Sequence, residues 1–147
     1  MIDLTDTDLM LQVREESRRL LSEILFRLSA DEFGATQHTP ILKDGHLYGV
    51  RADGRFVCLG LERKVVWASG PGETFGLGSF VLSDSLIFVL NDKGKLSLIE
   101  ATSTRFSLLG QIQILEGRES WAPMALAGDR LLARDLTRLA CLDLSTK

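Results

Sequence analysis

Histidine, cysteine and acidic side chains build most catalytic and metal sites. This sequence offers two histidines, two cysteines and twenty acidic residues. His38 and His46 belong to no His-x3-His or Cys-x2-Cys pattern with metal-ligand spacing. Cys58 stands between Val57 and Leu59, and Cys141 between Ala140 and Leu142. Thiols in such apolar strand surroundings are expected to pack as small, inert hydrophobes. No Gly-x-Ser-x-Gly nucleophile elbow is present. The run Gly70-Pro71-Gly72-Glu73-Thr74-Phe75-Gly76 has the glycine content of a dinucleotide-binding loop. That loop works by pointing helix amides at phosphate, and so needs a strand before it and a helix after it. Strand-like sequence flanks this one on both sides, and Pro71 removes a donor, so it reads as a connecting loop. No catalytic residue and no metal ligand is therefore assigned, no cofactor is expected, and a binding role is favoured over an enzymatic one. What remains is a set of polar tips and one aromatic: Gln37, His38, Asp53, Asp92 and Trp121. Whether they meet depends on the elements that carry them.

The chain has 147 residues, 45% of them hydrophobic and 25% charged, with a net charge of −3. This is the composition of one globular domain, and it excludes a disordered tail and a polybasic nucleic-acid binder. Residues 1–30 carry six acidic and four basic groups, the remainder fourteen and thirteen. No block of one sign exists to steer nucleic acid or anionic lipid. Apolar runs fall short of the roughly 18 residues that a membrane helix needs. The N-terminus, Met1-Ile2-Asp3-Leu4-Thr5-Asp6-Thr7-Asp8, has neither a basic nor an apolar signal region. A cytoplasmic location is the expectation from that feature and from the two unpaired cysteines.

Residues 6 to about 22 read as an amphipathic helix capped by Thr5, with Asp6 and Asp8 at its positive end. Met10, Val13, Ser17, Leu20 and Ile24 recur at intervals of three and four and form a narrow apolar stripe. An N-terminal helix over residues 1–23 is expected on this basis. The stretch 24–29 that follows is read as a strand.

From residue 39 the period is two, and turns such as Asp44-Gly45, Asp53-Gly54 and Lys93-Gly94 punctuate short apolar runs. Self-comparison reveals three repeats. The first runs from Pro40 to Ala68, the second from Ser79 to about Leu115 and the third from Pro123. Leu47, Leu86 and Leu131 align, and Cys58 and Cys141 occupy one slot. Asp53-Gly54 carries the signal of a two-residue type I′ hairpin. Each unit reads as three strands joined by tight turns, with a fourth in the first two. The fold class is all-β: a partial β-propeller of about three four-stranded antiparallel blades, preceded by one N-terminal α-helix. Blades span about 39–69, 79–115 and 122–147. Residues 24–29 are a candidate outer strand for the incomplete third.

Asp44-Gly45-His46-Leu47-Tyr48-Gly49-Val50, Asp53-Gly54, Cys58-Leu59-Gly60-Leu61, Lys64-Val65-Val66-Trp67 and Cys141-Leu142-Asp143-Leu144-Ser145-Thr146-Lys147 together resemble the quinoprotein-type (PQQ-binding-like) β-propeller repeat. The resemblance covers about residues 24–147. It implies that Trp67 docks between blades. Gly60 stands where the family prefers Asp, and the second unit has no Trp in its outer strand. By family analogy the protein would be exported. Pyrroloquinoline quinone with calcium is implied only if the chain is a fragment of a quinoprotein dehydrogenase.

In a propeller, the segments leading into the inner strands and the turns between second and third strands gather on one face. Gln37, His38 and Trp121 fall on the former, Asp53 and Asp92 on the latter, which makes this face the candidate ligand- or partner-binding site. The leading functional expectation is a non-enzymatic protein-interaction scaffold of the WD40/YVTN-like kind. The alternatives are a dehydrogenase fragment or a truncated product without independent function. The partner would be another protein or a second copy, the latter by exchanging strand 24–29 to close a six-bladed ring.

Overall fold

A computed structural model describes residues 7–33, 38–116 and 119–145. Strands β1 (Thr7–Glu16) and β2 (Arg19–Ser29) form a two-stranded antiparallel sheet, followed by a single helical turn α1 (Ala30–Phe33). Three meanders follow. The first blade contains β3 (Ile41–Lys43), β4 (His46–Val50), β5 (Phe56–Gly60) and β6 (Val65–Ala68). The second contains β7 (Phe80–Ser83), β8 (Leu86–Leu90), β9 (Lys95–Glu100) and β10 (Leu108–Gln113). The third contains β11 (Ala125–Ala127), β12 (Arg130–Arg134) and β13 (Leu139–Asp143). Within each blade, strands adjacent in sequence pair antiparallel.

The helix expected over residues 6–22 is not seen. Ser17 and Arg18 both take positive φ (52° and 62°), which closes a two-residue primed turn between Glu16 and Arg19. The register pairs Leu11 with Ile24, Val13 with Ser22 and Glu15 with Leu20. Cross-strand partners share a face, so Leu11, Val13, Leu20 and Ile24 make one apolar ribbon face. Glu15 and Ser22 share that face, while Gln12, Arg14, Glu16, Arg19, Leu21 and Glu23 fall on the other. A helix would have kept only the narrow stripe and set Arg14 over Arg18. Residues 24–29 belong to β2 and pair with β1. Thr5, Asp6 and Gln37 lie outside the described residues.

Three buried clusters alternate with the blades. Leu28 and Phe33, at the foot of the hairpin, pack with Leu47, Val57 and Leu59 on the first face of blade 1. Tyr48, Val50, Phe56, Cys58 and Trp67 on its second face meet Ile87, Val89 and Ile99 of blade 2. Phe88, Leu90 and Leu96 meet Leu131 and Ala133 of blade 3. Alternate residues of one strand thus feed two different cores, because side chains point to opposite sheet faces with period two. Trp67 sits between blades, its Nε1–H donating to the Thr102 carbonyl at 2.9 Å. Full burial of each large apolar side chain contributes roughly 1.5–3 kcal/mol.

The registers revise two details of the repeat. Leu42 pairs with Leu47, Leu82 with Ile87 and Leu126 with Leu131, so Ile87 rather than Leu86 is the equivalent of Leu47. The Asp84-Ser85 turn takes the place of Asp44-Gly45, and that fixes the frame. The Asp53-Gly54 connection is not a two-residue loop. Gly54 N–H donates to the Arg51 carbonyl and Arg51 N–H to the Arg55 carbonyl, while among turn residues 51–55 only Gly54 has positive φ (82°). This is the longer turn with a left-handed glycine, and Gly94 (74°) repeats it between β8 and β9.

Cys58 is buried as expected, but Cys141 is exposed. They share a slot, opposite Tyr48 and Leu132 respectively. Blade 2 covers the first, and no described residue covers the second. Burial pushes the Cys58 thiol up to about 11. A thiol-specific reagent is expected to modify Cys141 rapidly in the native protein and Cys58 only on unfolding. Equal rates at both sites would contradict this packing. Gly78 has no room for a side chain, since a Cβ there would lie 1.7 Å from the Leu90 carbonyl oxygen. Gly78→Ala should cost about 3 kcal/mol in a urea titration.

Candidate functional site

The turn between β4 and β5 meets the segments leading into β3 and β7. His38, Val50, Arg51, Ala52, Asp53, Gly54, Thr74, Gly76 and Leu77 line one cleft of about 360 Å³. Two sequence-derived candidates, His38 and Asp53, therefore share a cavity. Asp92 lies at its rim: a Cβ on Gly76 would fall upon its Oδ1. The Asp92 carbonyl faces the Ser120 N–H at 3.5 Å, which brings the next residue, Trp121, to the same face. Trp121 is 47% exposed and Leu77 37%. The Ser79 hydroxyl, which donates to the Ala122 carbonyl (3.0 Å) and accepts from Met124 N–H (3.1 Å), ties their two segments together. Gln37, the remaining candidate, lies outside the described residues.

Local hydrogen bonding sets the cleft floor. The loop 70–76 closes on itself through Gly70 N–H to Glu73 Oε2 (2.9 Å) and the Ser69 hydroxyl to the Glu73 carbonyl (2.8 Å). It then joins the β4–β5 turn through Phe75 N–H to the Gly54 carbonyl (2.8 Å), and buried Phe75 anchors it in the core. Asp53 accepts Arg51 Nε–H at 3.1 Å, and their second oxygen–nitrogen pair also touches. The Arg51 hydrogen bond, reinforced by the Arg55 amide, holds the Asp53 carboxyl below its usual range. The cleft wall thus carries a compensated ion pair.

His38 is the unusual group. Its ring stacks on Phe80 with centroids 5.3 Å apart and planes at 27°. Both ring nitrogens are buried without a well-formed hydrogen bond. Desolvation lowers its pKa, and the nearby Leu77 and Gly78 carbonyls oppose this only in part. A neutral imidazole is what the surroundings favour near pH 7.

Asp53 and Asp92 do not hold equivalent positions. Counted from the start of each turn, Asp53 is third and Asp92 second, because Arg51 and Asn91 open the two turns with the same backbone bonds. Asp135 opens the third, and sequence reasoning passed over it. Its Oδ1 accepts the Thr137 and Arg138 amides at 2.8 Å each, while Oδ2 is buried without a partner. The Thr137 amide first, then that of Arg138, lowers its pKa. The Asp-x-Thr run was the signal that could have revealed this turn. His46 belongs to the opposite end, with Nδ1 2.8 Å from the Asp44 carbonyl.

Among the described residues, no three His, Cys, Asp or Glu side chains cluster in a way that could hold a metal ion. No helix among them is long and apolar enough to cross a membrane.

This is a β-propeller-like protein, and comparison with solved structures supports that class. BamB from Moraxella catarrhalis superposes with a TM-score of 0.65 at 10% identity, over 85% of this chain and 40% of BamB. A chain of a mitotic checkpoint complex superposes at 0.61 and 15% identity, over 82% of this chain and 40% of that one. A europium-containing methanol dehydrogenase superposes at 0.55 and 13% identity, over 73% of this chain and 23% of that one. The chain spans well under half the length of each. No family model and no curated protein matches the sequence.

The His38 environment has a pH consequence. Its folded pKa lies below the unfolded value near 6.5, so below that pH the unfolded chain binds a proton that the folded one refuses. Stability should therefore fall as pH drops from about 6.5, well before Asp53 is protonated. In His38→Phe, which keeps the stack on Phe80, urea midpoints at pH 7.5 and 5.5 should differ less than in the wild type. An unchanged difference would count against the burial of this ring.

Proposed function

We propose that this chain is a non-enzymatic interaction module in which propeller blades hold one binding face toward a protein partner. The observation that carries the reading is exposed Trp121, whose neighbour Ser120 bonds to Asp92 at the rim of the cleft lined by His38 and Asp53. An aromatic anchor next to a polar cavity is the arrangement on which protein hot spots are built. The Arg51–Asp53 pair supplies orientation with little net charge. The likeness to BamB and to a chain of a mitotic checkpoint complex supports the same reading at the level of fold alone.

The dehydrogenase-fragment reading asks for a calcium cage beside a quinone. Among the described residues, no cluster of three His, Cys, Asp or Glu side chains offers a start for such a cage. No catalytic step is derived through it. Self-association belongs to the interaction reading, with a second copy as one partner. The exchange of strand 24–29 into a six-bladed ring meets a constraint here. Leu28 and Phe33 already cover the first face of blade 1, where another blade would have to stack.

Trp121 makes the reading measurable, because the other tryptophan, Trp67, is buried. A photo-crosslinker at position 121 should yield one discrete protein adduct in extract of the source cell, and a crosslinker at exposed Leu109 on β10 should not. Trp121→Ala should weaken that complex at least 10-fold. Turnover of an alcohol by the chain with added quinone and calcium, without any adduct at 121, would overturn the proposal.

A further inference from the structure

Among the described residues, open apolar surfaces lie at opposite ends of the stack. One is the hairpin face with Leu11 (45% exposed), Val13 (59%), Leu20 (77%) and Ile24 (41%). A lone two-stranded ribbon is marginal in water and needs a cover on its apolar side. The other is the second face of blade 3. There the register aligns Ala125, Leu132 and Cys141 in one row and Leu139 beside Arg134 in the next. Leu139 is 70% exposed, and Cys141 is exposed as well. The equivalent slots are buried in the other blades: Tyr48, Val50, Phe56 and Cys58 against blade 2, then Phe88, Leu90 and Leu96 against blade 3.

The two surfaces cannot meet within one chain. The hairpin foot is anchored on the first face of blade 1, and blades 1 and 2 separate that face from the far side of blade 3. We infer that the hairpin of one copy lays its apolar face on the second face of blade 3 of another copy.

Charge selects the hairpin over a further blade of the same kind. Arg134 stands where the stacked blades have Val50 and Leu90, since Val50 pairs with Phe56, Leu90 with Leu96 and Arg134 with Leu139. Another blade placed there would bury a guanidinium against aliphatic side chains, which is costly without a partner. Its Nε–H bonds the Asp135 carbonyl at 3.2 Å. The hairpin brings a carboxylate: Glu15 is the one charged residue among the three paired rows of its apolar face, beside Leu20. At the other end of the blade 3 face, Arg130 and Asp143 already neutralise each other. Each copy carries both halves of the contact, so two copies related by a two-fold make it twice.

This inference rests on the interaction-module reading but uses none of the ring-face residues, so its failure would leave the Trp121 test standing, and the reverse. The 147-residue chain should sediment as a dimer of 16.3 kDa subunits. Leu20→Glu and Leu139→Glu, both at exposed positions, should each weaken the dimer at least 10-fold with unchanged far-UV dichroism. An equimolar mixture of the two variants keeps one intact contact and should recover a 1:1 dimer. Glu15→Arg should weaken association, and adding Arg134→Glu should restore it. Val13→Cys should form a covalent dimer with Cys141 under mild oxidation, lost in Val13→Cys with Cys141→Ser and absent in Glu23→Cys on the opposite hairpin face. A monomer at all accessible concentrations overturns the inference. A dimer indifferent to both glutamate substitutions, as edge-to-edge strand pairing would give, also overturns it.

Discussion

The sheets of blades 1 and 2 are apolar on both faces, and this one constraint organises the molecule. In β5, all five residues from Phe56 to Gly60 are buried, and they serve two cores: Val57 and Leu59 on one side, Phe56 and Cys58 on the other. A sheet of this kind cannot rest against water as an antiparallel sheet with one polar face does. It must be sandwiched. Blade 1 is covered by the hairpin foot and by blade 2, and blade 2 by blades 1 and 3. The aromatic contacts of Phe56 with Trp67, Phe75 and Phe80 concentrate the packing at the first blade junction. Phe75 and Phe80 also flank the cleft-lining loop in sequence, so the same packing that joins two blades holds the floor of the candidate site.

That coupling explains why the site looks as it does. His38 is desolvated because it stacks on Phe80, itself packed on the inter-blade core. Asp53 points into the cleft because a left-handed glycine follows it and Arg51 clasps it from the start of the turn. Asp92 reaches the rim only because Gly76 has no side chain to block it. The polar groups are thus fixed by backbone geometry and by aromatic packing beneath them. A concavity whose polar groups are held in this way suits the proposed recognition of a preformed surface.

The blades were legible in the sequence because a two-residue period, interrupted by Asp-Gly and Lys-Gly, survives in each repeat. The meeting of His38 and Asp53 in one cleft was legible too, because the repeat sets a turn of one blade beside the segments that lead into the inner strands. The frame of the second repeat was not, since Ser85 replaces the glycine that marks the equivalent turn at Gly45. The hairpin was hidden for a related reason. Its turn residues, Ser17 and Arg18, adopt positive φ without being Gly or Asn, and the flanking residues Met10, Val13, Leu20 and Ile24 also satisfy helical spacing. Two periodicities fitted one segment, and tertiary anchoring through Leu28 and Phe33 decided between them. The exposure of Cys141 could not be read from its neighbours, because it depends on whether anything lies across β13.

The hairpin and blade 3 express the same constraint from opposite sides. The hairpin foot shields blade 1, while its arm carries an apolar face outward from that anchor. Blade 3 keeps Leu132, Leu139 and Cys141 in slots that are buried elsewhere, yet places Arg134 where those blades have aliphatic side chains. A sheet that simply lacked its neighbour would keep the apolar pattern intact. With Arg130 matched by Asp143, Arg134 marks a surface suited to something that is apolar along most of its length and acidic at one point, and Glu15 gives the hairpin that profile. Coverage of the last open sheet therefore becomes a question of charge as well as area, and the answer determines whether the proposed binding face with Trp121 is presented once or twice per assembly.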